Sequence, residues 1–183
     1  MTIQMPAPDQ AVLARRSEIV AALRRIVSGE GVVADEPSLR AFESDGLTAY
    51  AQLPMVAVLP ETVSQVADIL RYCSQAAIKV VPHGSGTSLS GGALPLADGV
   101  LLCMGRFNKV LRIDYADRIA VVQPGVTNLA ITRAVEGEGF YYAPDPSSQI
   151  ACSIGGNVAE NAGGVHCLKY GLTTNNVSAS NWC

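Results

Sequence analysis

Pro82-His83-Gly84-Ser85-Gly86-Thr87-Ser88-Leu89-Ser90-Gly91-Gly92 follows directly on an apolar run, Ile78-Lys79-Val80-Val81. A second stretch of the same kind comes later, Ser153-Ile154-Gly155-Gly156-Asn157-Val158-Ala159-Glu160-Asn161-Ala162-Gly163-Gly164. Glycines packed this densely among hydroxyl and amide side chains let the backbone approach a ligand closely. Successive backbone N–H groups in such loops form concavities that hold anions, phosphates above all. Two such loops point to one large phosphate-bearing ligand, a dinucleotide, held from two sides.

The elements around the first loop explain its position. Met55-Val56-Ala57-Val58-Leu59 reads as a short strand ended by Pro60. Thr62-Val63-Ser64-Gln65 is a capping-box signature that opens a helix running to about Ala76, with Val63, Val66, Ile69, Leu70 and Cys73 on its apolar face. Residues 78–81 form the next strand. Strand, capped helix and strand make a β-α-β unit, hence a parallel pair with a right-handed crossover. The first glycine loop then sits at the carboxyl end of a strand, where open α/β sheets bind ligands.

Further along, residues 99–104 read as another buried strand, and residues 110–113 and 119–123 as a hairpin. Thr127 caps a helix that Gly137 and Gly139 end, and residues 141–143 are extended. In the second glycine stretch, a helix starting at Gly155 would aim N–H groups at a phosphate, and Asn157 and Asn161, four apart, would face one way. Upstream, residues 11–28 carry apolar positions at helical spacing, and Pro37 suits the first turn of a short helix to Glu43. The pattern is α+β: two small α/β lobes with no internal repeat.

Bulk properties narrow the function. The 183 residues are 49% hydrophobic, enough to build a sizeable core. A net charge of -3 without a basic run argues against a nucleic-acid partner. Three Phe, six Tyr and one Trp make no stacking platform. The five cysteines include no C-x-x-C pair, which argues against a metal or iron–sulfur site within the chain. No apolar run approaches the roughly 20 residues needed to span a bilayer. The N-terminus lacks the charged and apolar regions of a secretory signal, so the expectation is a cytoplasmic protein with reduced thiols.

Three familiar phosphate or hydrolase motifs fail at the first loop. Gly84-Ser85-Gly86 begins a Rossmann fingerprint, but Leu89 holds the place of the third glycine. Gly86 and Gly91 have Walker spacing, but Gly92 stands where lysine is required. Gly86-Thr87-Ser88-Leu89-Ser90 ends in the wrong residue for a nucleophile elbow. The bland alternatives are a glycine turn that binds nothing and a second stretch that is small-residue helix packing. Pro82, the hydroxyl side chains and Gly91-Gly92 favour a ligand.

The order Pro-x-Gly-x-Gly-Thr, Gln123-Pro124-Gly125-Val126, Pro144-Asp145-Pro146 and Gly155-Gly156-Asn157…Asn161-Ala162-Gly163-Gly164 resembles the FAD-linked oxidases of the vanillyl-alcohol oxidase / p-cresol methylhydroxylase type. Within them, Leu89-Ser90-Gly91-Gly92-Ala93-Leu94-Pro95, the run from Tyr141 to Ser153 and Gly164-Val165-His166-Cys167-Leu168-Lys169-Tyr170-Gly171 are similar to the flavin subunits of bacterial glycolate oxidases. The resemblance implies an N-terminal helical segment over 1–50 and an FAD-binding domain over 51–183, incomplete at its C-terminal end. It implies non-covalent FAD held by Pro82, His83, Gly84, Ser85, Gly86, Thr87 and Ser88. From the other side come Pro144, Ser153, Ile154, Gly155, Gly156, Asn157, Asn161, Gly163 and Gly164. The implied reaction is oxidation of a 2-hydroxy acid, glycolate first and D-lactate or another as alternative, by hydride transfer to the flavin. Implied partners are a second flavin-type subunit and an iron–sulfur subunit, through which the protein could sit at the inner membrane.

Departures from that pattern carry their own expectations. His83 stands where relatives often have arginine, and it precedes the glycines, so it reads as a polar loop residue or phosphate neighbour rather than a covalent flavin link. His166 is either near the flavin ring or structural. Cys152 and Cys167 read as small buried fillers. The tail from Asn175 to Cys183 is polar and reads as a truncation. No catalytic residue is assigned, because those that bind and deprotonate substrate are expected beyond it. A non-catalytic product with an exposed strand edge is the competing reading.

Overall fold

The structure is a computed structural model that describes residues 5–180. Asn181, Trp182 and Cys183, the end of the polar tail, lie outside the described residues. The chain divides into two compact units, one through Met104 and one from Gly105.

The first unit opens with α1 (Gln10–Ala14) and α2 (Arg16–Ile26). The sequence predicts one helix here, but the backbone breaks at Arg15 (φ -92°, ψ 7°). The two neighbouring arginines reach different carbonyls there: Arg15 donates to Ala76 and Arg16 to Met55, each at 3.1 Å. After β1 (Val32–Val33) comes α3 (Glu36–Leu39), continued by a 3-10 turn to Phe42; the Asp35 side chain caps it by accepting from Ser38 N at 3.0 Å.

Next come β2 (Val56–Val58), α4 (Val63–Gln75), β3 (Lys79–His83) and β4 (Gly99–Cys103). The capping box of α4 is formed in full: Thr62 Oγ1 accepts from Gln65 N at 3.2 Å, and Gln65 Oε1 accepts from Thr62 N at 3.3 Å. Val66, Ile69 and Cys73 are its buried face.

The four strands pair in the order β1-β2-β4-β3, with β1 antiparallel to β2 and β4 parallel to both neighbours. The expectation of β2 and β3 as a direct pair is therefore corrected: they are parallel, but β4 lies between them. Every residue of β4 is buried, and a strand covered on both faces belongs inside a parallel sheet. Among the described residues β3 is an edge. Lys79 and Pro82 stand on it, and a proline without an N–H is tolerated at an edge.

The second unit holds the hairpin of β5 (Val110–Asp114) and β6 (Ile119–Val122), then α5 (Asn128–Val135), α6 (Ile154–Glu160) and α7 (Cys167–Tyr170). Thr127 caps α5, and Gly139 in the left-handed region (φ 78°) ends the turn that follows it. Val126, Ile131 and Ile154 form the core of this unit.

Candidate functional site

The first glycine loop is held from beneath by the strand that precedes it. His83 ends β3, and its carbonyl accepts from Met104 N at 2.9 Å. Its ring meets Phe42 edge-on at 6.1 Å, and Nδ1 lies 3.4 Å from the Ala93 carbonyl. Burial lowers the His83 pKa below its usual value, against the opposing pulls of the Ala93 carbonyl and Asp45. The ring is therefore a neutral prop for the loop at pH 7. Gly86 takes a left-handed backbone (φ 64°), the turn that only glycine enters at no steric cost.

The segment Ser44-Asp45-Gly46 runs along this loop. A Cβ at Gly46 would stand 2.8 Å from the carbonyl oxygens of both Thr87 and Ser88. Asp45 is buried; its Oδ1 accepts from Leu47 N at 2.8 Å, and its Oδ2 has no partner among the described residues. The sequence reading missed Asp45. Its one local signal is Asp-Gly, an ordinary turn marker.

In the second unit, Ser153 precedes α6 and pairs with Thr127 across an isolated bridge. Ile154 N donates to Val126 O and Gly155 N to Pro124 O, both at 2.8 Å. The expectation that a helix start at Gly155 aims its N–H groups at a phosphate is corrected at these two residues, because the preceding loop takes both donors. Gly155 is a glycine for a packing reason: a Cβ there would meet Pro124 Cβ at 2.8 Å.

Asn157 and Asn161 do not share a helix face. Asn157 is buried, and its Nδ2 has no partner among the described residues. Asn161 leaves the helix as its left-handed C-cap (φ 50°, ψ 50°), and its Oδ1 accepts from Thr174 N at 3.1 Å and Thr174 Oγ1 at 2.9 Å. Asn tolerates that conformation better than most side chains.

Gly163 packs on the tip of the Leu172 side chain, and Gly164 on the backbone and carboxyl of Asp145, where a Cβ has no room. This contact joins the Pro144-Asp145-Pro146 turn to the end of the glycine stretch. Buried Pro144 also accepts from Asn128 Nδ2 at 3.0 Å. Asp145 in turn holds His166: Oδ2 lies 2.6 Å from Nδ1, and Oδ1 accepts from His166 N at 3.3 Å. Desolvation raises the Asp145 pKa, but the hydrogen bonds and charge of His166 outweigh it and hold the carboxyl below its usual range. The His166 side chain itself is exposed. Cys152 is buried as expected, whereas Cys167 is exposed, which corrects its reading as a buried filler.

No group of three or more His, Cys, Asp or Glu among the described residues could hold a metal ion. No helix among them is long and apolar enough to cross a membrane.

Residues 54–181 match the family model described as FAD binding domain. Glycolate oxidase subunit GlcD of Escherichia coli (strain K12) is 56% identical over 162 residues, which is 88% of this chain and 32% of that protein. GlcD of Bacillus subtilis (strain 168) is 42% identical over 72% of this chain and 28% of its own length. D-2-hydroxyglutarate dehydrogenase of Stutzerimonas stutzeri (strain A1501) is 34% identical over 84% of this chain and 33% of its own length. The chain thus spans about a third of the length of the curated relatives it matches. The solved structure of alkyldihydroxyacetonephosphate synthase superposes with a TM-score of 0.76 at 23% identity, over 93% of this chain and 33% of that one. That of p-cresol methylhydroxylase gives 0.71 at 21% identity, over 85% and 31%. The family match and the fold agree: this chain belongs to the FAD binding domain family, with the p-cresol methylhydroxylase fold.

Proposed function

We propose that this chain is the FAD-binding portion of a flavin-dependent 2-hydroxy-acid oxidase or dehydrogenase, with glycolate as the substrate of first choice. The observation that carries the cofactor assignment is Asn157 Nδ2, a buried donor without a partner among the described residues, inside the Gly155-Gly156-Asn157 run. A buried amide that finds no acceptor among the described residues fits an acceptor-rich ligand such as a diphosphate or a flavin carbonyl. The residues assigned to FAD are Pro82 to Ser88, Pro144, Ser153 to Asn157, Asn161, Gly163 and Gly164. The backbone of residues 84–88 supplies N–H groups, and neutral His83 holds the turn from below. FAD, when bound, supplies the acceptor for the α-hydride of the hydroxy acid.

Binding is read as non-covalent, since His83 precedes the glycines of the first loop. The similarity to proteins named glycolate oxidase subunit supports glycolate. The relative named D-2-hydroxyglutarate dehydrogenase supports another 2-hydroxy acid as the alternative, D-lactate among them. The word subunit in the relatives' names supports assembly with other chains, for which a second flavin-type subunit and an iron–sulfur subunit are our choice. The site residues lie within our domain reading, 51–183, preceded by the helical segment 1–50.

The test is the visible absorption spectrum of the 183-residue chain after gel filtration. A flavin spectrum, released as free FAD on denaturation, supports the assignment. A folded, colourless monomer that takes up no added FAD overturns it. In a chain as long as the relatives, anaerobic bleaching of the flavin by glycolate, D-lactate or D-2-hydroxyglutarate then selects the substrate.

A further inference from the structure

Resting on the FAD assignment, the geometry points to Asp45 as a cofactor-positioning residue. We propose that its Oδ2 accepts a hydrogen bond from a sugar or ribityl hydroxyl flanking the diphosphate. Asp45 is only 6% exposed, and its two oxygens differ. Oδ1 is used by Leu47 N at 2.8 Å, while Oδ2 is buried without a partner among the described residues. A buried carboxyl oxygen left without a hydrogen-bond partner is costly, so a native chain that keeps one points to a partner supplied from outside.

The position of Asp45 says which ligand supplies it. The residues on either side of it lie on the glycine loop. Gly46 leaves no room for a Cβ against the Thr87 and Ser88 carbonyls, each 2.8 Å away, and a Cβ at Gly86 would stand 3.9 Å from Ser44 O. A larger side chain at residue 46 would push the segment off the loop. Glycine here fixes the close approach that brings the carboxylate beside the phosphate-binding backbone.

Chemistry then selects the donor. A carboxylate directly beside a diphosphate is repelled, whereas a carboxylate beside the hydroxyls next to the diphosphate accepts from them. Dinucleotide-binding folds of another type divide the work in the same way, with backbone N–H groups on the phosphates and an acidic side chain on the ribose hydroxyl. In this chain the loop would hold the charge and Asp45 would read the hydroxyl. Asp45 thereby separates a nucleotide from inorganic phosphates.

Asp45→Asn tests this with little disturbance. The amide oxygen still accepts from Leu47 N, while Nδ2 replaces Oδ2 and turns an acceptor into a donor. The 183-residue chain and the variant are titrated with FAD and, separately, with inorganic pyrophosphate. We expect an unchanged melting temperature without ligand, pyrophosphate affinity within twofold, and FAD affinity weakened roughly tenfold to a hundredfold. If the variant folds poorly, Asp45→Ser, which keeps an oxygen for Leu47 N, carries the same comparison. Equal FAD affinity in the folded variant overturns the role of Asp45 and leaves the FAD assignment standing. A parallel loss of FAD and pyrophosphate also overturns it, because Asp45 would then only shape the loop. A wild-type chain that takes up no FAD overturns the FAD assignment and this inference together.

Discussion

The imidazole of His83 lies against the α-carbon of Gly86: a methyl group at residue 86 would stand 3.0 Å from the ring's Cε1 and 3.3 Å from Nε2. With φ at 64°, Gly86 is constrained twice, by its backbone and by the ring. Gly86→Ala should cost about 1–2 kcal/mol for the left-handed backbone alone. Thermal melts of Gly86→Ala and of the double variant Gly86→Ala/His83→Ala separate the two effects. The double variant should recover the ring clash but not the backbone strain. A Gly86→Ala chain as stable as the parent would mean that the loop does not need this turn.

Asn157 should show the opposite balance between stability and binding. Its unpaired Nδ2 contributes nothing to the free chain, so Asn157→Leu, close in shape, should leave the melting temperature without ligand unchanged or raised. FAD affinity should fall roughly tenfold for the lost donor. Calorimetric titration of both chains decides. A variant that melts early would place Asn157 in the packing of the unit and not at the cofactor.

Local features were legible in the sequence, and features set by distant packing were not. Thr62 and Gln65 announced α4 because a capping box is complete within four residues, and the unbroken apolar run at 99–103 announced a buried strand. The place of β4 between β2 and β3 depends on pairing across long connections, which no local pattern encodes. Asn157 and Asn161 have helical spacing, but Thr174 draws Asn161 out of the helix. Glycine density suggested close approach by a ligand. Gly155, Gly163 and Gly164 also make room for Pro124, Leu172 and Asp145 of the same unit, which glycine density alone does not reveal. Asp45 went unread because its partner loop lies far along the sequence.

The packing account of Gly164 can be checked without cofactor. Gly164→Ala places a methyl on the Asp145 carbonyl and carboxyl, and backbone cannot swing aside as a long side chain can. The cost should be at least about 1–3 kcal/mol of stability in the ligand-free chain, from overpacking. The Asp145–His166 pair should loosen as well, read from a shift of the His166 ring signals in proton–nitrogen spectra. An unchanged ligand-free melt would overturn the packing account of this glycine.

Asp98 should contribute to the loss of stability in acid. It is 2% exposed, and its Oδ2 accepts from Lys79 Nζ at 2.7 Å and from Asp9 N at 2.8 Å. Burial raises its pKa, but these two donors and the Lys79 charge prevail and hold it below the ordinary 3.8. A depressed carboxyl contributes stability that is fully present above the unfolded value and disappears as the pH falls through the folded one. Asp98→Asn should therefore cost about 1–3 kcal/mol at neutral pH and less as the pH falls below 3.8. Urea melts from pH 7 to pH 3 check it. Parallel profiles for the two chains would assign the acid sensitivity to other carboxylates.

Thiol labelling reads the two environments of the cysteines directly. Burial pushes the Cys73 thiol up to about 11 and the Cys103 thiol up to about 12, so neither forms the reactive thiolate at neutral pH. Cys152 is buried in the second unit, whereas Cys167 is exposed at the start of α7. Brief alkylation followed by peptide mapping should modify Cys167 first of these four, and Cys73, Cys103 and Cys152 only in denaturant. Early modification of Cys103 would contradict the burial of β4, since access to that thiol requires the central strand of the sheet to open. Labelling of Cys152 before Cys167 would likewise contradict the packing around Ser153 on which the second half of the proposed site depends.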